Sequence, residues 1–328
     1  TKESKHGLGD VSIGLKKAIE LDDEKMSMAV LAQAVIATGN NEFTNDKDIY
    51  SLGSVVAYDH SDQLTTSISM IYEVQDSNWA VTAVPTVEYL IAGNWSGFSE
   101  LVYRKQEGQD VRKTDDQIQL NSTFGYKRDT ISNWYYAGKF NFNTQFANGY
   151  AYPNTDLAIS KPFAPAYIFL GIGAEYSRKD LNLNVYISPL TNKTTLVFDQ
   201  RLANQGAFGV DKAVYDINGD LIREGKNTRT EVGVLITNQW EKEVYQNIIL
   251  EHRISLYTDY INNFGNIDVD WQLQLAMVVN KYVKANIGTH ILYDDDIKSK
   301  EEENGVQVTK GPKVQLKQLL GVGIVYAF

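Results

Sequence analysis

Read in steps of two, one segment after another sorts into a face of large apolar residues and a face of polar or small ones. In residues 266–280, Val269, Trp271, Leu273, Leu275, Met277 and Val279 share one face. Asp268, Asp270, Gln272, Gln274, Ala276 and Asn280 share the other. The next segment sets Ile287, Thr289, Ile291 and Tyr293 against Lys284, Asn286, Gly288 and His290. Upstream, Ile248, Leu250, His252, Ile254 and Leu256 alternate with Glu251, Arg253, Ser255 and Asp259. Trp134, Tyr136, Phe140 and Phe142 alternate with Lys139, Asn141, Asn143 and Gln145. A period of two predicts strands, because successive side chains of an extended chain point to opposite faces. The last stretch, LKQLLGVGIVYAF (316–328), keeps Leu320, Val322, Ile324, Tyr326 and Phe328 on one face and finishes on an aromatic ring.

The connections between these segments alternate in length. Counted back from the C-terminus, 294–313, 260–267, 199–229, 146–165, 104–114, 75–78 and 38–49 fall on one side. Between them come 281–283, 241–246, 178–180, 127–133, 92–96, 59–63 and 21–25. All but one of the first set exceed their neighbours, as in transmembrane barrels with short periplasmic turns and long outer loops. Apolar faces that end in aromatics, as at Trp134, Trp240, Trp271, Tyr293 and Tyr326, fit girdles at a bilayer boundary. The expected fold is therefore all-β: a closed antiparallel transmembrane β-barrel occupying residues 1–328 as a single domain. The walk yields roughly 15 strands, whereas single-chain bacterial barrels close with an even number. About 16 strands are expected, or 14, with the segment 181–198 and its Ser188-Pro189-Leu190 break as the suspect, or a strand upstream of Thr1. A secreted β-sandwich is the competing architecture.

Composition changes this picture little. No run of about 18 apolar residues predicts a membrane helix, and the mean hydropathy of −0.31 suits a barrel in which only alternate residues meet lipid. No leader is legible, as expected of a mature chain. Cysteine is absent, which excludes disulfides and thiolate metal sites. The net charge of −10 leaves no footprint for nucleic acid.

From about residue 101 onward the chain resembles an uncharacterised family of Bacteroidota outer-membrane proteins. The stretches that carry the likeness are RKTDDQIQLNSTFGYK (112–127), TQFANGYAYPN (144–154), FAPAYIFLGIG (163–173), ISPLTNKTTLVFDQRLANQGAFGVD (187–211), NIDVDWQ (266–272), YDDDIK (293–298) and LLGVGIVYAF (319–328). The resemblance implies an outer-membrane β-structure and supplies no catalytic residues. Residues 6–100 resemble the aromatic-degradation-associated outer-membrane channel family, through HGLGDVSIGLKKAIE (6–20) and YDHSDQLTTSISMIYE (58–73). The two likenesses meet near 95–101.

Candidate functional residues follow from sidedness. Glu251, Arg253, Asp270, Gln272, Gln274, Lys284, His290 and Lys139 are expected to face a lumen, either lining a channel or packing it with ion pairs. Trp134, Tyr136, Trp240, Trp271, Leu273, Leu275, Tyr293, Tyr326 and Phe328 are expected to face lipid or its boundary. Asp216, Asn218 and Asp220 have alternate-oxygen spacing suited to calcium in an outer loop, but Asn218-Gly219 favours a plain turn. Asp294, Asp295 and Asp296 could likewise hold a divalent cation, although the mixed charges that follow favour a solvated loop. Four His, no Cys and no Gly-x-Ser-x-Gly argue against an enzyme. The expected location is the cell outer membrane, and the expected role a porin-like channel or transport protein; the alternative is a non-conducting barrel subunit of an envelope machine. Expected partners are outer-membrane lipid and lipopolysaccharide, the barrel-assembly machinery and envelope-complex subunits.

Overall fold

The computed structural model describes all residues except 1–4, 41–42, 109–115, 130, 152–153, 262–263, 281, 295–297, 304–305 and 325–328. Eight strands follow one another: β1 (Val11–Ile19), β2 (Met26–Ile36), β3 (Ile49–Ser61), β4 (Leu64–Gln75), β5 (Asn78–Ala92), β6 (Trp95–Glu107), β7 (Gln117–Lys127) and β8 (Trp134–Gln145). A small hairpin, β9 (Gly149–Ala151) with β10 (Asn154–Ser160), precedes β11 (Ala166–Arg178) and β12 (Leu183–Leu196). The next connection holds helix α1 (Gln200–Asn204) and a second small hairpin, β13 (Val214–Tyr215) with β14 (Leu221–Arg223). Then come β15 (Thr228–Tyr245), β16 (Ile248–Asp259), β17 (Asp268–Val278) and β18 (Val283–Tyr293). A third hairpin, β19 (Lys298–Glu303) with β20 (Val306–Pro312), leads to β21 (Gln315–Ile324).

Set the three small hairpins aside, and every strand lies beside its successor in one 15-stranded antiparallel sheet that runs from β1 to β21. Among the described residues β1 and β21 each have a single neighbour in that sheet. Among the described residues that sheet has 15 strands. The Ser188-Pro189-Leu190 break does not divide β12. Tyr186, Ser188 and Thr191 are buried, while Ile187, Pro189 and Leu190 are exposed. Two consecutive exposed residues mark an inserted residue, as in a β-bulge, after which the alternation resumes in the opposite phase. Proline is tolerated at such a position because it has no N–H to give to a ladder. The Ser188 hydroxyl shares its one proton between the carbonyls of Ile172 and Leu190, at 3.1 and 3.0 Å, and accepts from the Thr191 hydroxyl at 2.8 Å, which holds the bulge in place.

Two other boundaries move. Residues 104–107 belong to β6, and 241–245 to β15, although their charges read as connections. Glu241, Lys242 and Glu243 pair in register with Glu251, Leu250 and Ile249, which leaves Gln246-Asn247 as the turn. Tight turns elsewhere use the residues the left-handed region demands: Asp76, Gly93 and Asn247 have φ of 55°, 55° and 63°.

Residue contacts group the chain into two compact units: Thr1–Phe124 with Phe140–Phe169 and Thr194–Arg229, and Gly125–Lys139 with Leu170–Lys193 and Thr230–Phe328. In the first unit, Ile19, Met28, Val56, Ile68 and Pro85 stand in one cross-strand row, whereas Gln33, Ser51, Glu73, Ala80 and Gln106 stand in another on the opposite face. In the second unit, Ile254, Trp271, Ile291 and Leu316 form one row, and the neighbouring row on the other face reads Gln239, Arg253, Gln272, His290 and Lys317.

In β3, β4 and β12 burial runs opposite to that of a water-soluble sheet: Leu52, Ile68, Met70 and Ile187 are exposed, whereas Tyr186 on the polar face is 1% exposed. In β16 and β17 the order differs: Arg253, Gln272 and Gln274 are exposed and Ile254, Trp271, Leu273 and Leu275 half-buried, although Tyr257 on the polar face is 3% exposed. A compact apolar cluster does exist, but in the connections: Ala164, Val197, Leu202, Ala203 and Val210, with Ala207 and Phe208 packed against them.

Candidate functional site

Candidate function resides on the polar face and in the folded connections. In the first unit, cross-strand polar contacts run along β4 to β8. Arg104 on β6 bonds Glu73 on β4 at 2.7 Å and the Thr82 hydroxyl on β5 at 2.9 Å. Asn121 donates to Glu100 at 2.9 Å and receives the Asn141 amide. These groups are brought together by register alone, since residues opposite one another on one face of an antiparallel pair lie close enough to bond.

In the second unit, Lys139 bonds Glu175 at 2.8 Å, and Asn184 donates to the same carboxylate at 2.7 Å. The Lys139 ammonium also sits 4.2 Å from the centre of the Tyr186 ring. Lys193 stands 3.2 Å over the ring of Tyr257. Each large ring buried on the polar face is therefore capped by a lysine, a favourable use of the ring's negative face.

Further along the same unit is a concavity of about 420 Å³ lined by Glu251, Arg253, Gln272, Gln274, His290 and Lys317 together with Gly288 and Leu319. Glu251 accepts from Arg253 Nε at 3.1 Å and Nη2 at 2.9 Å. His290 Nε2 meets Asp270 at 2.8 Å. Six of the eight expected lumen residues thus gather here: Glu251, Arg253, Asp270, Gln272, Gln274 and His290. Lys139 joins Glu175 instead, and Lys284 lies toward the other end of β18. Among the apolar-face residues, Trp134 packs on Tyr176 at 5.1 Å and Trp240 meets His252 edge-on at 6.2 Å. Tyr136 is exposed, while Trp271, Leu273, Leu275 and Tyr293 are half-buried. Tyr326 and Phe328 lie outside the described residues.

The connection between β12 and β15 has its own architecture. Asp199 caps α1 by accepting from the Leu202 N–H at 2.9 Å, and its other oxygen takes the Lys161 ammonium at 2.5 Å. Burial raises the Asp199 pKa, but the Lys161 and Leu202 bonds outweigh it and hold the carboxyl below its ordinary value. The Asn204 side chain accepts from the Gly225 N–H at 2.8 Å, where a Cβ would stand 2.2 Å from the Ala203 carbonyl. Only glycine permits that approach. At the tip, the Asp216 carboxylate accepts from the N–H groups of Asn218 and Asp220, each at 2.8 Å. Its oxygens close a turn rather than project outward. Among the described residues no cluster of three His, Cys, Asp or Glu could hold a metal ion. Asp295 and Asp296 lie outside the described residues, and Asp294 follows the last residue of β18.

The sequence reading did not select Glu73, Arg104, Glu175, Lys193 or Lys317. The alternation of Glu100, Arg104 and Gln106 was the available signal for Arg104. For Lys193 the inserted residue in β12 hid the phase.

A family profile described as a protein of unknown function, DUF3078, matches residues 94–150. No curated protein matches the chain in sequence. Among solved structures the chain is similar to the translocator domain of the autotransporter NalP from Neisseria meningitidis. That match has 7% identity and a TM-score of 0.30, covering 99% of this chain and 90% of that one.

Proposed function

We propose that the chain is an outer-membrane β-barrel of a Gram-negative, Bacteroidota-type envelope, serving as a porin-like channel or transport protein. One observation carries the reading: along β3, β4 and β12 large apolar side chains such as Leu52, Ile68, Met70 and Ile187 are on the exposed face, opposite more buried residues of the polar face. In water this arrangement would leave most of the apolar surface uncovered. In a bilayer the same face meets hydrocarbon, and the polar contacts of the other face border water. Sealing of the sheet into a ring of about 16 strands belongs to this reading, since an unpaired strand edge is not tolerated in lipid. Outer-membrane lipid and lipopolysaccharide then cover the apolar rows, and the barrel-assembly machinery inserts the chain. The protein works without a cofactor and is not an enzyme.

The test is extraction followed by planar-bilayer recording. The expected result is solubilisation only with detergent and discrete ion currents after insertion. Well-inserted protein that passes no current would sink the channel role. The folded connections 146–165 and 197–227, which share the compact apolar cluster, favour a second reading. In it a non-conducting barrel presents this platform to envelope-complex subunits, and mild-detergent purification would then yield stoichiometric partners.

A further inference from the structure

Passage of water needs no particular side chains at the concavity bounded by β16, β17, β18 and β21, yet its chemistry is selective. We propose that it is a binding subsite for a small neutral polyhydroxylated solute of mono- to disaccharide size. The inference rests on the reading that this face borders water inside a barrel, but not on conduction. The volume of about 420 Å³ falls within the range of small-molecule sites. Gly288 stands in the row between Gln274 and Leu319, and a Cβ there would meet nothing closer than Leu319 at 3.9 Å. The missing side chain is therefore open space.

Charge argues against an ionic ligand. Glu251 is held by Arg253, and Asp270 by His290, so neither carboxylate is offered alone to a cation. Arg253 and Lys317 stand in one row, three strand spacings or about 14 Å apart, too far to clamp one small anion. Between them, Gln272 and Gln274 point to the same face and make no hydrogen bond among the described residues. Each amide offers two donors and an acceptor. A hydroxyl both donates and accepts, and so can satisfy both ends of each amide. An anion would leave the amide oxygens unmatched, and a cation the N–H groups.

The experiment is equilibrium titration of the full chain in detergent with maltose and, separately, with inorganic phosphate. Three variants accompany it: the double Gln272→Ala/Gln274→Ala, Gly288→Leu to fill the gap with the amides intact, and Ser69→Ala as control. Saturable maltose binding is expected, weakened about tenfold or more in either pocket variant. It should be unchanged in the control, and unchanged between about 50 and 500 mM salt because no net charge is engaged. Absence of saturable maltose binding, maltose binding undiminished in the pocket variants, or salt-sensitive phosphate binding in its place would overturn the proposal. Binding retained by a chain that passes no current would sink the channel role alone, and detergent-free solubility would sink the barrel reading.

Discussion

Asp10 shows how one side chain fastens a connection. Its carboxylate accepts from the N–H groups of Gly39 at 2.8 Å and Asn45 at 2.7 Å, and from the Asn45 side chain at 2.9 Å. The Asn45 N–H does most to hold its pKa at about 2, below the ordinary 3.8. A depressed folded value means that the stabilising contribution is present above pH 3.8 and fades as the pH falls toward 2. Protection factors of the Gly39 and Asn45 amides should therefore be high at neutral pH and fall over that interval; in Asp10→Ala they should be low throughout. Unchanged exchange in the variant would refute the role. Asp199 fastens α1 in the same way. Its replacement by Ala should cost about 0.5–2 kcal/mol locally, seen as faster proteolysis within 197–227 while the strands stay protected. Neither role was legible in the sequence, because both depend on partners far along the chain.

At the scale of elements, the strands were largely legible and the folded connections were not. Alternation located the strands because each needs only its own side chains to declare two faces. The small hairpins and α1 escaped, being too short to show a period and held by contacts such as Asn204 to Gly225. The bulge in β12 explains the one segment that looked broken. It also makes a close contact: a Cβ on Gly173 would stand 2.0 Å from the Ile187 carbonyl. Gly173→Ala should force β11 and β12 apart, at about 1–3 kcal/mol. Denaturant unfolding should show the loss, whereas Gly321→Ala, where a Cβ meets nothing, should not.

For the whole molecule, the discriminating quantity is which face tolerates charge. Ile68 belongs to an all-apolar row near the middle of β4, and Ser69 points to the other face. In phospholipid vesicles Ile68→Arg should cost about 2–4 kcal/mol, and Ser69→Arg close to nothing. A water-soluble sheet would reverse the expectation, because Ile68 is already exposed. Equal tolerance at both positions would remove the bilayer from the account. The sequence by itself determined the strand class, the two-faced character of each strand and the rhythm of the connections, since these follow from the period of two and from local turn chemistry. Only the tertiary structure decided which polar groups meet. Register across strands brings His290 to Asp270, and Arg104 to Glu73. The tertiary structure also decided which face carries the buried side chains, because burial depends on what the rest of the chain covers.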